Sequence, residues 1–167
     1  MTIAYDVLSC PLGKALIAAT PAGICAVEFG DSAARLARAL VDRYPRATIR
    51  RSPDLLRRVT GRLRRIFDLD PTLPLDVRAT AFQARVWNEL RSIPAGATRS
   101  YGEIARRIGR PGSARAVASA CASNRIAILI PCHRAVASCG GLSGYRWGVH
   151  RKKALLERER RANPAPV

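Results

Sequence analysis

The chain has 167 residues, 48% of them hydrophobic, with 29 Lys and Arg against 12 Asp and Glu, a formal charge of +17. Such a hydrophobic share can offset the ordering entropy of one domain or two small ones, which excludes a disordered chain, and no apolar run is long enough to span a bilayer. Five cysteines in no paired spacing argue against a disulfide framework and no secretory signal opens the sequence, so a cytoplasmic location is expected.

Two short apolar runs, Lys14 to Ala19 and Ile24 to Phe29, flank the turn-forming Thr20-Pro21-Ala22-Gly23 and predict a hairpin. Ser32 caps a predicted helix through about Arg43, with Leu36 and Leu40 one turn apart. Ser52-Pro53-Asp54 joins a cap, a first-turn proline and an acid, and opens a helix with Leu56, Val59, Leu63, Ile66 and Phe67 on one side. Asp70-Pro71-Thr72-Leu73-Pro74 breaks that pattern, and its prolines would hold an extended linker. Residues 1–74 thus read as a small α/β domain with a short-stranded sheet, 75–161 as a second, mainly helical domain, and 162–167 as a frayed tail; the fold class is α+β.

In the second domain Thr80 caps Phe82 to about Arg91, where Phe82, Val86 and Leu90 recur every fourth residue and Trp87 widens the apolar face. Pro94-Ala95-Gly96 ends that helix. Ser100-Tyr101-Gly102-Glu103 is a capping box that starts another, with Ile104, Ala105 and Ile108 inward, Gly109 closing it and Pro111 beyond. Ser113 then caps residues 114–122, and Asn124 is expected to end this helix in a left-handed turn. Two short helices across a tight Gly/Pro turn outline a helix-turn-helix of winged-helix type. The second of them is almost all Ala and Ser around one long side chain, Arg115, so its backbone can approach closely either the protein's own core or a narrow DNA groove.

Arg supplies 26 of the 29 cations. Codon bias toward Arg would give the same composition, but the distribution favours a polyanion: from Leu90 to His150 there are nine Arg and one acid, Glu103. Nucleic acid is the expected partner, since the guanidinium fork suits phosphate and base edges.

Ile126-Ala127-Ile128-Leu129-Ile130 reads as a short buried strand running into Pro131-Cys132-His133-Arg134. A thiol is a poor nucleophile until ionised, so its pKa of about 8.5 would have to fall; an imidazole that takes the proton, oriented by an acid, does this. Neighbours on a regular strand face opposite ways, so either the chain turns at Pro131 or a water bridges Cys132 and His133. Glu159, on a predicted helix over 151–161, is the candidate acid. Cys10, Cys25, Cys121 and Cys139 are read as inert, His150 as a solvated surface residue, and no spacing suggests a metal site.

The run Ile130-Pro131-Cys132-His133-Arg134 resembles the active-site signature of the O6-alkylguanine-DNA alkyltransferases. The likeness extends through Gly144-Tyr145-Arg146-Trp147-Gly148, Arg151-Lys152 and Leu155-Leu156. Upstream it takes in Phe82-Gln83, Ser100-Tyr101, Arg115-Ala116-Val117-Ala118 and Asn124, covering roughly Leu75 to Glu159. Ala118 to Ala122 and Leu142 to Gly148 look like the branch formed by the C-terminal alkyltransferase domain of Ada proteins.

The resemblance implies a helix-turn-helix in the minor groove, with Arg115 filling the stack when the damaged guanine is flipped out. Tyr101 would rotate the nucleotide and offer a proton to the ring, and Ser100, Ala116 and Arg134 would join the DNA contact. Cys132 would attack the alkyl carbon, with His133 as base through a water, Glu159 orienting it and Asn124 holding the turn. Ser143, Gly144, Tyr145 and Arg146 would line the base pocket. A thioether cannot be hydrolysed here, so each molecule would act once, with no cofactor. The implied partner is double-stranded DNA carrying O6-alkylguanine, bound by a monomer, with O4-alkylthymine left open. Ala135, Arg125, Ala127, Ala79 and Cys139 depart from the family pattern without touching this chemistry. A lesion-binding protein without transfer, a winged-helix transcription factor and a thiol hydrolase are the competing readings.

Overall fold

The computed structural model describes residues 1–54 and 66–163. It divides into two units, residues 1–78 with 125–129, and 79–124 with 130 onward. The boundary falls after Arg78 rather than at the end of the Pro71–Pro74 linker, and of the segment 126–130, expected to be a strand of the second domain, residues 126–129 belong to the first unit.

The first unit is built on a four-stranded sheet. β1 (Thr2–Cys10) runs antiparallel to β2 (Gly13–Thr20), β2 antiparallel to β3 (Gly23–Gly30), and β4 (Thr48–Arg51) lies parallel to β1, giving the order β3-β2-β1-β4. The β2–β3 hairpin turns at the expected tetrad. β1 and β4 were not anticipated, although Ile3, Tyr5 and Val7 alternate as a half-buried strand should. These residues face α1 (Ala33–Arg43), whose Leu36 and Leu40 join Ile3, Leu16, Ala18, Cys25 and Ala26 in one core. Ser32 caps α1 as predicted, accepting from the Arg35 amide at 3.3 Å. Pro53 and Asp54 are helical, in keeping with the predicted start there. Leu56, Val59 and Leu63, together with residues 164–167, lie outside the described residues, whereas Ile66 is fully buried at the head of a short 3-10 turn, Ile66–Asp68.

The outer edge of β3 is covered by two irregular segments, which blunts a pairing edge. On one stretch the Ile24 amide donates to Pro74 O and the Asp76 amide to Ile24 O, both at 2.8 Å. A Cβ on Gly23 would lie 2.4 Å from Pro74 O, so only glycine admits the linker this close. Farther along, Val27 N donates to Arg125 O at 2.9 Å and Ala127 N to Val27 O at 2.8 Å. This pairing displaces the predicted strand over 126–130. Only Ile126 makes a bridge; Ala127 O then closes on Leu129 N at 2.8 Å around Ile128, a γ-turn with φ of 70° at a β-branched residue.

In the second unit α2 (Ala81–Arg91) and α3 (Tyr101–Arg107) both start with complete capping boxes, Thr80 with Gln83 and Ser100 with Glu103. α4 (Ala114–Ser123) follows α3 across a turn through Gly109 and Gly112, both at positive φ, which completes the helix-turn-helix. Two expected details differ. Ser113 makes no side-chain cap, and Asn124 has φ −60° and ψ 132°, extended rather than left-handed, because the chain must leave α4 straight toward residue 125. A two-residue parallel pair, β5 (Arg99–Ser100) with β6 (Ala135–Val136), and α5 (Val149–Ala162) complete the unit. No helix among the described residues is long and apolar enough to cross a membrane.

Candidate active site

The segment before Cys132 ends in a second tight bend. Pro131 has φ −80° and ψ 63°, and Ile130 O accepts from the Cys132 amide at 2.8 Å, an inverse γ-turn that leads into a 3-10 turn over Cys132–Arg134. The chain therefore turns at Pro131, and the opposed faces of a regular strand do not apply. Asn124, fully buried, pins this bend: its Nδ2 donates to Ile130 O at 2.8 Å and to Cys132 Sγ at 3.2 Å. Replacing Asn124 by Ala orphans the buried Ile130 carbonyl and removes the donor on sulfur. The expected cost is about 1–3 kcal/mol in urea unfolding, with slower labelling of Cys132 by iodoacetamide.

Cys132 is 4% exposed and lies on a cavity of about 410 Å3. Tyr101, Ser143, Gly144, Tyr145 and Arg146 line the same cavity, with Ala118, Cys121 and Ala122 of α4 on its wall. Burial pushes the Cys132 thiol up to about 11, against the lowering pull of the Asn124 donor and of Lys152. The resting sulfur is thus a protonated thiol at neutral pH, which corrects the expectation of a depressed pKa: the local donors do not outweigh desolvation. Cys121, read from sequence as an inert packing residue, is driven up further still by burial and stays a thiol.

Behind Cys132 lies a polar chain. His133 is 1% exposed, and its Nε2 meets Glu159 Oε1 at 2.7 Å. Burial opposes ionisation of Glu159, but donors from His133, Arg134 and the Gly96 amide overcome it and hold the carboxyl at about 2. An ionised carboxylate only accepts, so Nε2 carries the hydrogen and Nδ1 keeps its lone pair. Nδ1 is buried with no hydrogen-bond partner, and burial lowers the imidazole's pKa. A neutral base is therefore held at the residue that follows Cys132. Arg134 caps the chain from the other side: its Nε and Nη2 reach Glu159 at 2.8–3.2 Å and its Nη1 donates to Ile93 O at 2.5 Å. These bonds engage it in the carboxylate network, whereas Arg115 and Ala116 stand exposed on α4 and Ser100 is occupied in capping α3.

Tyr101, the first residue of α3, points its hydroxyl at Ser143 O, 3.4 Å away, and burial raises its pKa, so the phenol keeps its proton. Tyr145 packs edge-on to Trp147 with centroids 5.1 Å apart, and its hydroxyl is buried without a partner. Arg146 Nε holds Ala122 O at 2.9 Å. Sequence reasoning missed one contributor to this wall, Lys152. It is 0% exposed, and its Nζ donates to Ser143 O at 3.1 Å and to Gly144 O at 3.5 Å, and stands 5.9 Å from the centre of the Tyr101 ring. In a run reading Arg-Lys-Lys nothing distinguishes this lysine as the buried one except its place on the inward face with Leu155 and Leu156.

The sequence model of the 6-O-methylguanine DNA methyltransferase DNA-binding domain matches residues 81–161. Over 164 residues, 95% of this chain and 46% of the relative, the chain is 48% identical to the bifunctional transcriptional activator/DNA repair enzyme Ada of Escherichia coli K12. It is 36% identical to the crystal structure of Mycobacterium tuberculosis O6-methylguanine methyltransferase, with a TM-score of 0.77 over 98% of this chain and 96% of that one. A structure of the M. tuberculosis protein in complex with DNA superposes with a TM-score of 0.74 at 36% identity, over 97% and 96% of the two chains. The chain spans about half the length of the curated relatives it matches.

Proposed function

The chain belongs to the O6-methylguanine-DNA methyltransferase family, and on that footing we propose that it repairs DNA directly, moving the alkyl group of an O6-alkylguanine onto its own Cys132. One observation carries the reading: the single thiol on the pocket that is backed by a neutral imidazole and an ionised carboxylate is Cys132. When the lesion enters, the Sγ proton passes to His133 Nδ1 by way of a water, as the family resemblance implies. The imidazolium so formed is stabilised by Glu159. The sulfur then attacks the alkyl carbon; the S–C bond forms as the C–O6 bond breaks, and the electron pair goes to the guanine. The Tyr101 phenol offers the proton that neutralises the departing base. No group in the site can cleave the resulting thioether, so each molecule acts once.

The same reading makes α4 the helix that meets the minor groove, with Ala116 allowing close approach and the exposed Arg115 entering the stack where the guanine has left. Tyr145 and residues 143–146 hold the flipped base. The protein acts as a monomer on double-stranded DNA in the cytoplasm, a reducing compartment that suits cysteines joined in no disulfide.

Incubation with duplex DNA carrying O6-methylguanine tests the function. Intact-mass and peptide analysis should find at most one added methyl group per chain, on Cys132. An unmodified protein that still binds the lesion tightly overturns transfer in favour of lesion recognition alone. Arg115→Ala separates base flipping from chemistry. It should slow transfer from the duplex by roughly tenfold or more, the cost of losing a few kcal/mol of support for the extrahelical base, while leaving transfer from the free base O6-benzylguanine unchanged.

A further inference from the structure

A second thiol stands on the pocket, and methyl transfer leaves it idle. Cys121 lines the same cavity as Cys132, and α4 presents it there together with Ala118 and Ala122, its neighbours on one helix face. The two cysteines share Asn124, whose amide donates to Cys121 O at 3.2 Å while its Nδ2 donates to Cys132 Sγ at 3.2 Å. They also share Lys152: burial lowers its pKa and Cys132 and Cys121 both pull it back up, so one ammonium stands near both sulfurs. Both thiols are free.

Methyl transfer uses one carbon, which has no further reactivity once Cys132 holds it. An alkyl group with a leaving group on its second carbon arrives on Cys132 still electrophilic. We propose that Cys121 is a second acceptor site, which takes the far carbon of two-carbon alkyl groups bearing a leaving group, such as 2-chloroethyl, and closes an ethylene bridge to Cys132. Delivery of the group from guanine rests on the alkyl-transfer reading; the bridging steps do not. The Cys132 sulfur displaces chloride from the far carbon of its new substituent, a C–S bond forming as the C–Cl bond breaks, to give a three-membered episulfonium ring. Cys121 Sγ then attacks a ring carbon. The bond from that carbon to the Cys132 sulfur breaks, its electron pair returns to that sulfur, and the Cys121 proton leaves to water. Two thioethers and one HCl result, and nothing is oxidised or reduced.

Burial holds Cys121 as a thiol, which leaves it unreactive toward a methyl group on guanine. An episulfonium is opened even by neutral water, so the thiol needs no prior ionisation. A neighbour fixed on the cavity wall also attacks at a far higher effective concentration than any solute. Other polar groups on or beside this wall are occupied: Lys152 Nζ donates to Ser143 O and Gly144 O, and the Tyr101 hydroxyl to Ser143 O.

Two reagents test the bridge on the whole chain, without added thiol. Duplex DNA with freshly made O6-(2-chloroethyl)guanine delivers the group through the repair reaction, whereas 1,2-dibromoethane alkylates the protein independently of it. In both, intact mass should rise by one ethylene unit less two hydrogens. Trypsin should then release Ala116–Arg125 joined to Ile126–Arg134, the peptides that hold Cys121 and Cys132. Cys121→Ala should leave S-(2-hydroxyethyl) on Cys132 or, with duplex, a protein–DNA adduct. These unbridged forms should rise roughly tenfold or more as a share of chains alkylated at Cys132, a ratio that removes any change in rate. A bridge from dibromoethane with Cys132 untouched by the lesion duplex upholds the site and overturns the transfer reading. Methyl transfer to Cys132 with hydroxyethyl as the main two-carbon product does the reverse. Cys132 unmodified in both arms, or a bridge through another cysteine, also overturns the proposal.

Discussion

Cys132→Ala is expected to yield no methyl adduct anywhere on the chain after prolonged incubation with O6-methylguanine DNA. The substitution removes one sulfur from the edge of an open cavity, so the fold should tolerate it within about 1.5 kcal/mol, and affinity for the lesion duplex should persist. The outcome is informative because a second thiol, Cys121, lines the same cavity. Proximity alone would let it take over. Burial raises the Cys121 thiol beyond that of Cys132, and the Asn124 donor and the His133–Glu159 pair are built around Cys132. Peptide mapping of the variant therefore decides whether nearness or activation makes the nucleophile. A methyl group on Cys121 would show that the imidazole chain is dispensable. The wild-type rate should also fall on acidification, as His133 takes up a proton and can no longer accept one; because burial lowers its pKa, that fall begins below the ordinary histidine range.

Glu159→Gln is the second large effect, and it strikes stability and chemistry together. The carboxylate takes donors from His133, from two nitrogens of Arg134 and from the Gly96 amide. Arg134 and Glu159 are each only 15% exposed at the side chain, so neutralising one leaves a largely buried, uncompensated guanidinium. Breaking such a pair costs about 3–5 kcal/mol. The pH dependence follows from the carboxyl being held at about 2, below its ordinary 4.5. A depressed carboxyl contributes stability that is fully present above 4.5 and disappears as pH falls toward 2, a difference of about 3 kcal/mol. Urea midpoints at pH 7 should lie well apart for the wild type and Glu159→Gln and should converge below pH 3. Methyl transfer at pH 7 should drop by about 10²-fold or more, since the imidazolium formed when His133 takes the thiol proton loses the negative charge that stabilises it. A variant with unchanged rate would remove His133 from the proton path.

The parts of the molecule that could be read in advance are those set by neighbours in sequence. The capping boxes at Thr80 and Ser100, the Ser32 cap and the Thr20–Gly23 turn are local hydrogen-bond arrangements, and the structure forms each of them. β1 carried a usable signal in the alternation of Ile3, Tyr5 and Val7. β4 carried almost none, since Ile49 is its one apolar side chain and its partner lies more than forty residues away. The apolar run 126–130 has the composition of a strand, but a run that short does not distinguish a strand from a buried turn. Hydrogen bonds to Val27 decide the matter, and they are invisible in the run itself. Glu159 is named as the candidate acid from its place on the C-terminal helix, and the family likeness supports it, but with 26 residues between them no local pattern shows its contact with His133. The protonation of Cys132 is not legible in the sequence either: desolvation depends on what folds over the sulfur, and no residue type announces it.

The pairing of residues 125–129 with β3 also bears on how this chain can be divided. The matched family region, 81–161, runs straight through that pentapeptide, yet its amide and carbonyl partners sit on Val27. A fragment cut at Ala79 would carry the loop away and leave its dock behind, stranding both bonds and the contorted Ile128 with nothing to hold it. The polypeptide is interlaced rather than modular: the stretch leading to the reactive sulfur is braced by the opening hairpin. A fragment of residues 79–167 is accordingly expected to unfold at lower urea than the whole chain, a comparison that measures what the lacing contributes.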